Sequence, residues 1–164
     1  MFKINYRIVH SRYDDFIGQH GFFQIICNGN EYGEMYSKEI ETIMDKVSLY
    51  DWFERLARVV DNLNIKEYVV LSDVESYNTW IEFIKKNEEI LVSIVKAKKD
   101  EGSHDIEFIL KDPQIGKWGN QAVSFEQFRK EVLEKGTEYI REVFEDNPEN
   151  DLINKLTQRF NDIK

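Results

Sequence analysis

The chain has 164 residues, with 22 basic and 31 acidic side chains, a net charge of −9, and 13% aromatics among 41% hydrophobic residues. Enough apolar surface exists to offset chain entropy, which excludes a disordered chain, and a domain of this length needs no metal or disulfide to hold its core. The acidic balance repels phosphate backbones, so no nucleic-acid partner is expected, whereas a basic protein would be attracted and steered.

The first element in chain order is "FKINYRI", where Phe2, Ile4, Tyr6 and Ile8 alternate with Lys3, Asn5 and Arg7. A period of two predicts a half-buried strand. "SRYDDFIGQHG" then reads as a loop carrying Asp14 and Asp15. "FFQIICN" and "EYGEMYS" flank Asn28–Asn30, and Asn-Gly tolerates positive φ, so the two segments form a hairpin. Cys27, the one cysteine, sits in apolar "FFQIICNG" and reads as a buried, inert thiol.

Ser48 starts a helix, with Asp51 in the first turn where a carboxylate suits the positive helix end. Leu49, Trp52, Phe53, Leu56, Val59, Val60 and Leu63 form its apolar stripe, which makes Trp52 a core residue. "KEYVVLSDV" is a strand, "TWIEFIKKNEEILVSIVKAKK" is two strands joined near Lys86–Glu88, and "DIEFILK" is a further strand. Ser124 caps a second helix with Gln127 at the matching capping-box position. Gly136 near its middle marks a close approach of another backbone. Asn147–Pro148 ends that helix and opens the last one, because proline fits the first helical position.

The order β-β-β-α-β-β-β-β-α-α, without long crossovers, predicts an α+β fold in a single domain over residues 1–164. One antiparallel sheet of about six or seven strands is expected, with the internal helix and the two C-terminal helices packed on one face. No apolar run approaches the roughly 18 residues of a spanning helix, and "MFKINYRIVH" lacks the apolar centre of a secretory signal. A cytoplasmic protein without a membrane partner is therefore expected, and the absence of any possible intrachain disulfide suits that compartment.

Nucleotide-binding loops and nucleophile elbows are missing, and His10, His20 and His104 make no paired-histidine motif. A lone cysteine excludes a C-x-x-C site, so no cofactor, metal or catalytic residue is assigned. The stretch "LSDVESYNTW", Leu71 to Trp80, breaks an apolar strand with Asp73 and Glu75. If the strand continues, both carboxylates share a face. Alternatively Asp73, Ser76 and Asn78 build an ordinary turn by bonding to local backbone. A third possibility is a small cytosolic enzyme or ligand-binding domain that uses Asp73 or Glu75 with His20 or His104.

Carboxylates beside aromatics also suit a recognition surface. On that reading Asp14, Asp15, Asp73, Glu75, Tyr77, Trp80 and Trp118 contact a partner. "HSRYDDFIGQHG", "SLYDWFERL" and "VESYNTWIEF" resemble stretches of uncharacterised bacterial immunity proteins of polymorphic-toxin systems, a likeness that covers most of the chain. The resemblance implies a non-catalytic inhibitor that blocks a cognate toxin, a basic protein, by steric and electrostatic occlusion. It assigns no contact residue, because that class is a function shared by many folds.

Overall fold

The computed structural model describes residues 1–164, in an α+β arrangement of ten strands and three helices. The strands are β1 (Phe2–Ile8), β2 (His20–Cys27), β3 (Asn30–Gly33), β4 (Val47–Ser48), β5 (Tyr68–Ser72), β6 (Thr79–Lys86), β7 (Glu89–Lys96), β8 (Ile106–Glu107), β9 (Gln114–Ile115) and β10 (Gln121–Ser124). The helices are α1 (Leu49–Leu63), between β4 and β5, and α2 (Phe125–Phe144) and α3 (Asp151–Asp162) at the C-terminal end. All strand pairs are antiparallel, but they divide into two sheets rather than one. In the first, β1-β2-β3 lie in order and β4 also pairs with β2; in the second the order is β10-β7-β6-β5-β8, with β9 on β7.

β2 is bonded along one edge by β1 from Phe2↔Cys27 to Ile8↔Gly21. Its other edge is shared end to end, since β3 takes Gln24 to Cys27 and β4 takes His20 and Gly21. Between these two short strands, residues 34–46 leave the sheet. Gly33 makes the departure possible: its φ is +90°, and a Cβ there would lie 2.2 Å from the carbonyl oxygen of Phe23. No other residue type fits so tight an approach at that φ. The Asn28–Gly29 turn before it has φ of 50° and 84°, as the hairpin signal predicts.

The outer edge of β1 is closed by side chains. Gln127 Oε1 accepts from Phe2 N–H at 2.8 Å while its Nε2 donates to Phe2 O at 2.7 Å, and Glu131 Oε1 accepts from Ile4 N–H at 2.8 Å. Ser124 does cap α2 through Gln127 N–H, but the Gln127 side chain serves β1 instead of completing a capping box. α1 is capped by Ser48, which accepts from Asp51 N–H, and packs against both β2 and β5. A 32-residue core joins α1, α2 and α3 to the two sheets, with Phe53 stacked on Tyr139 at 4.9 Å. The opposite face of the second sheet holds a smaller cluster of Val70, Trp80, Val95 and Ala97.

Several boundaries differ from the sequence reading. "DIEFILK" contributes only Ile106–Glu107, leaving Phe108 and Ile109 exposed, and β3 stops at Gly33 short of "EMYS". Pro148 lies in the connection, and Asn150 caps α3 by accepting from Leu152 and Ile153 N–H. Gly136 meets a side chain, not a backbone: a Cβ there would lie 1.9 Å from the buried Phe160 ring.

Alanine is a better helix former than glycine by about 1 kcal/mol, yet overpacking a full core costs about 1–3 kcal/mol. Gly136→Ala is therefore expected to lower the denaturation midpoint, with Phe160→Leu in the same chain recovering part of the loss. A rise in the midpoint would contradict this packing. Cys27 is fully buried, and burial pushes its thiol up to about 11. Thiol reagents at neutral pH are expected to label it only as fast as the chain unfolds.

Candidate functional site

Where β3 and β4 part, Phe22 and Phe23 of β2 lack a strand partner on that edge. A concavity of 290 Å³ opens there. Its walls are Phe22, Phe23, Tyr32, Tyr36, Val47 and Trp52. The Phe23 and Trp52 rings stack at 4.9 Å and 8°, and Tyr36 meets Phe22 edge-on at 5.2 Å. Four carboxylates, Glu34, Asp45, Asp73 and Glu75, border it together with Lys117.

Asp73 and Glu75 are thus brought to one site, but not along a strand. β5 ends at Ser72, and the residues after it form a turn. Asp73 Oδ1 accepts from Glu75 N–H at 3.0 Å, and Ser76 Oγ accepts from Thr79 N–H at 3.1 Å, as the turn reading predicts. Asp73 is 9% exposed and its Oδ2 accepts from the Tyr32 hydroxyl, a bond that ties the second sheet to the first. Both carboxylate oxygens of Asp73 are therefore engaged. Burial and then the Asp73 hydrogen bond push the Tyr32 hydroxyl well above the usual tyrosine range. Lys99 spans the turn, donating to the carbonyls of Asp73 and Ser76, and burial pulls its ammonium down against the opposing pull of Asp73. Glu75 is exposed, and Glu34, Asp45 and Glu75 form no ion pair within the chain.

A second depression of 680 Å³ adjoins the first, because Asp45 and Glu75 line both. It contains His10, His20, Tyr13 and Ile43. Asp14 is fixed behind it, with Oδ1 at 2.6 Å from His20 Nδ1 and Oδ2 at 3.2 Å from His10 Nδ1. Asp15 is exposed on the same loop. His104 borders neither depression.

The expected aromatics fare differently. Trp80 is 1% exposed and donates its indole N–H to Ala97 O at 3.2 Å. It is a core residue of the second sheet's far face, because alternation on β6 sends Ile81 and Phe83 to the main core and Trp80 to the other side. Trp118 is also buried, its N–H bonded to Glu31 O at 3.0 Å across the sheets. Both are interior residues rather than the exposed anchors expected. Tyr77 is exposed, but it borders a separate depression with Lys96, Lys98 and Lys99. Tyr32, Tyr36, Glu34, Asp45 and Lys117 escaped the sequence reading. The signal for Tyr32, Glu34 and Tyr36 was the acid–aromatic alternation in "NEYGEMY" around a glycine, whereas Asp45 and Lys117 carried none.

No three His, Cys, Asp or Glu side chains converge to hold a metal ion, and no helix is long and apolar enough to cross a membrane.

Tyr32→Phe leaves a buried carboxylate oxygen without its donor and is expected to cost about 1–3 kcal/mol in denaturant unfolding. Tyr6, Tyr32, Tyr68 and Tyr139 are all raised by burial. A raised folded-state value gives stability that is full below the unfolded tyrosine value of about 10 and is lost as pH climbs past it. Stability should fall steeply above pH about 10, and less steeply in Tyr32→Phe, when unfolding is followed at stepped alkaline pH.

No protein-family model, curated protein or solved structure matches this chain.

Proposed function

We propose that this chain is a non-catalytic binding protein that occludes a basic protein partner, in the manner of an immunity protein against a cognate toxin in the cytoplasm. The observation that carries the reading is the paired concavity, with an aromatic wall and a rim of Glu34, Asp45 and Glu75, none of which forms an ion pair within the chain. Aromatic side chains supply large contact area at low entropy cost, and unpaired rim carboxylates steer a positive partner into register. Exposed Tyr13 and Ile43, at 69% and 77%, extend the apolar contact into the neighbouring depression. The net charge of −9 acts in the same direction at long range.

A second reading has one observation in its favour. Glu75 and His20 face the same depression, and Asp14 orients the His20 ring. Such a carboxylate–histidine pair suits acid–base chemistry in a small enzyme.

The test is a triple charge reversal, Glu34→Lys, Asp45→Lys and Glu75→Lys, which leaves the structural Asp73 untouched. The wild-type chain should co-purify with a basic protein, release it as salt shortens the screening length from about 10 Å at 0.1 M to about 3 Å at 1 M, and protect cells that express it. The reversed chain should melt normally and do neither. Retained capture and protection would sink the acidic-face reading. Loss of function on His20→Ala with partner binding intact would transfer the weight to the enzyme reading.

A further inference from the structure

We propose that the 290 Å³ concavity between β3 and β4 is the receptor for a single arginine side chain of that protein partner. The inference rests on the acidic-face reading and names what the face grips. It is carried by the juxtaposition of a stacked aromatic wall with separated rim carboxylates.

The wall comes first. Trp52 and Phe23 are stacked on the core face of β2, and Phe22 and Tyr36 meet edge-on on its opposite face, so the concavity at this edge takes aromatic lining from both sides. Aromatic faces attract a cation held within about 6 Å of the ring centre, and tryptophan does so best. On the Phe22 side the chain already holds a guanidinium of its own. Arg7 lies 5.2 Å over the Phe22 ring, donates from Nη2 to the Tyr36 carbonyl, and pairs with Glu41 at 3.2 Å. A ring, a carbonyl and a carboxylate from the 34–46 excursion thus seat one arginine beside the concavity.

The rim narrows the class of cation. Its carboxylates surround the mouth without converging on a common point, so they do not form a cage for a small hard ion. A planar guanidinium presents five donors in a fork and can reach separated carboxylates at once. It is also more weakly hydrated than an ammonium and stacks on aromatic rings, which favours arginine over lysine at a wall of this kind. Lys117 is the one basic residue on the border, against Glu34, Asp45, Asp73 and Glu75. The volume falls just below the roughly 300–1,000 Å³ of sites for drug-sized ligands, which suits one side chain. The concavity also adjoins a largely polar depression in which Tyr13 and Ile43 stand exposed, so the flank offers apolar contact points within a polar surface.

The experiment is an amide and indole NMR titration of the isotope-labelled full chain with a blocked Gly-Arg-Gly peptide, and with its lysine and norleucine counterparts. The expected result is saturable shifts at the Trp52 indole N–H and the Gly33 and Tyr36 amides with the arginine peptide. The lysine peptide should bind more weakly and the norleucine peptide should leave those signals in place. Asp45→Asn with Glu75→Gln should weaken the arginine peptide by about tenfold, a change of about 1.4 kcal/mol. Tyr36→Ala, which removes part of the wall and keeps the rim, should weaken it with the remaining amide spectrum unchanged. Shifts that fail to saturate, that match for norleucine, or that spread equally to the acidic α2–α3 connection around Glu145 and Asp146 would overturn the proposal. If the arginine peptide does not seat while the triple charge reversal still loses the protein partner, the arginine receptor falls and the acidic-face reading stands. If the peptide seats while the reversal keeps its partner, the concavity binds arginine but not through that partner, and the proposal falls with the acidic-face reading.

Discussion

Backbone N–H and C=O groups of a buried strand have to be paired, and β2 is buried at nearly every position from Gly21 to Cys27. β1 satisfies one edge along its whole length. The other edge is served by two short strands placed end to end, and the chain between them has to loop out and return. The aromatic concavity is the local result of that division. Its wall consists of side chains that the core already holds rigid, such as Phe23 at 5% and Trp52 at 7% exposure. The second sheet repeats the arrangement on β7, where β10 pairs with Glu89 to Val92 and β9 with Val95 and Lys96. There the intervening chain folds inward and buries Trp118, whose indole bonds to Glu31 on β3. One gap is filled and the other is open.

Two contacts couple these gaps. Trp118 to Glu31 and Tyr32 to Asp73 both join β3 to the second sheet. β3 would otherwise be an exposed edge of four residues, a liability for unwanted pairing. At the opposite edge of the first sheet, Gln127 and Glu131 take the place of a neighbouring strand. The first sheet therefore ends at a helix on one side and at the second sheet on the other.

Two of the three helix starts were legible in the sequence because a cap is a local device: Ser48 and Ser124 accept from the N–H three residues on. The long strands were legible from their alternation and from the Asn28–Gly29 turn. β4, β9 and β10 were not, since two to four residues carry no measurable period and their pairing is set by distant partners. The same distance hid the division into two sheets. For the site, the turn chemistry of Asp73 and Ser76 was readable from residue type, whereas the Tyr32–Asp73 bond spans 41 positions. Trp80 looked like a surface anchor because it follows a polar turn. It belongs to a strand with apolar contacts on both faces, where alternation marks one core or the other and not core against solvent. Trp52 read as a core residue, and it is buried; its second role, with Phe22 and Phe23, at the wall of a concavity leaves no separate mark in the sequence.

The 34–46 excursion is held mainly by its own short-range bonds, such as Ile40 N–H to Ser37 O and Met44 N–H to Ile40 O, and by the Arg7 contact to Tyr36. It lies outside the ladder of either sheet, and Glu34 and Asp45 on it are exposed. The floor below is fixed by the core. Charge and shape at the mouth can therefore be rewritten without disturbing the ladder, as loops on a rigid frame allow. Such a division is a route to divergence: a single surface segment is free to change while the folding scaffold is inherited intact.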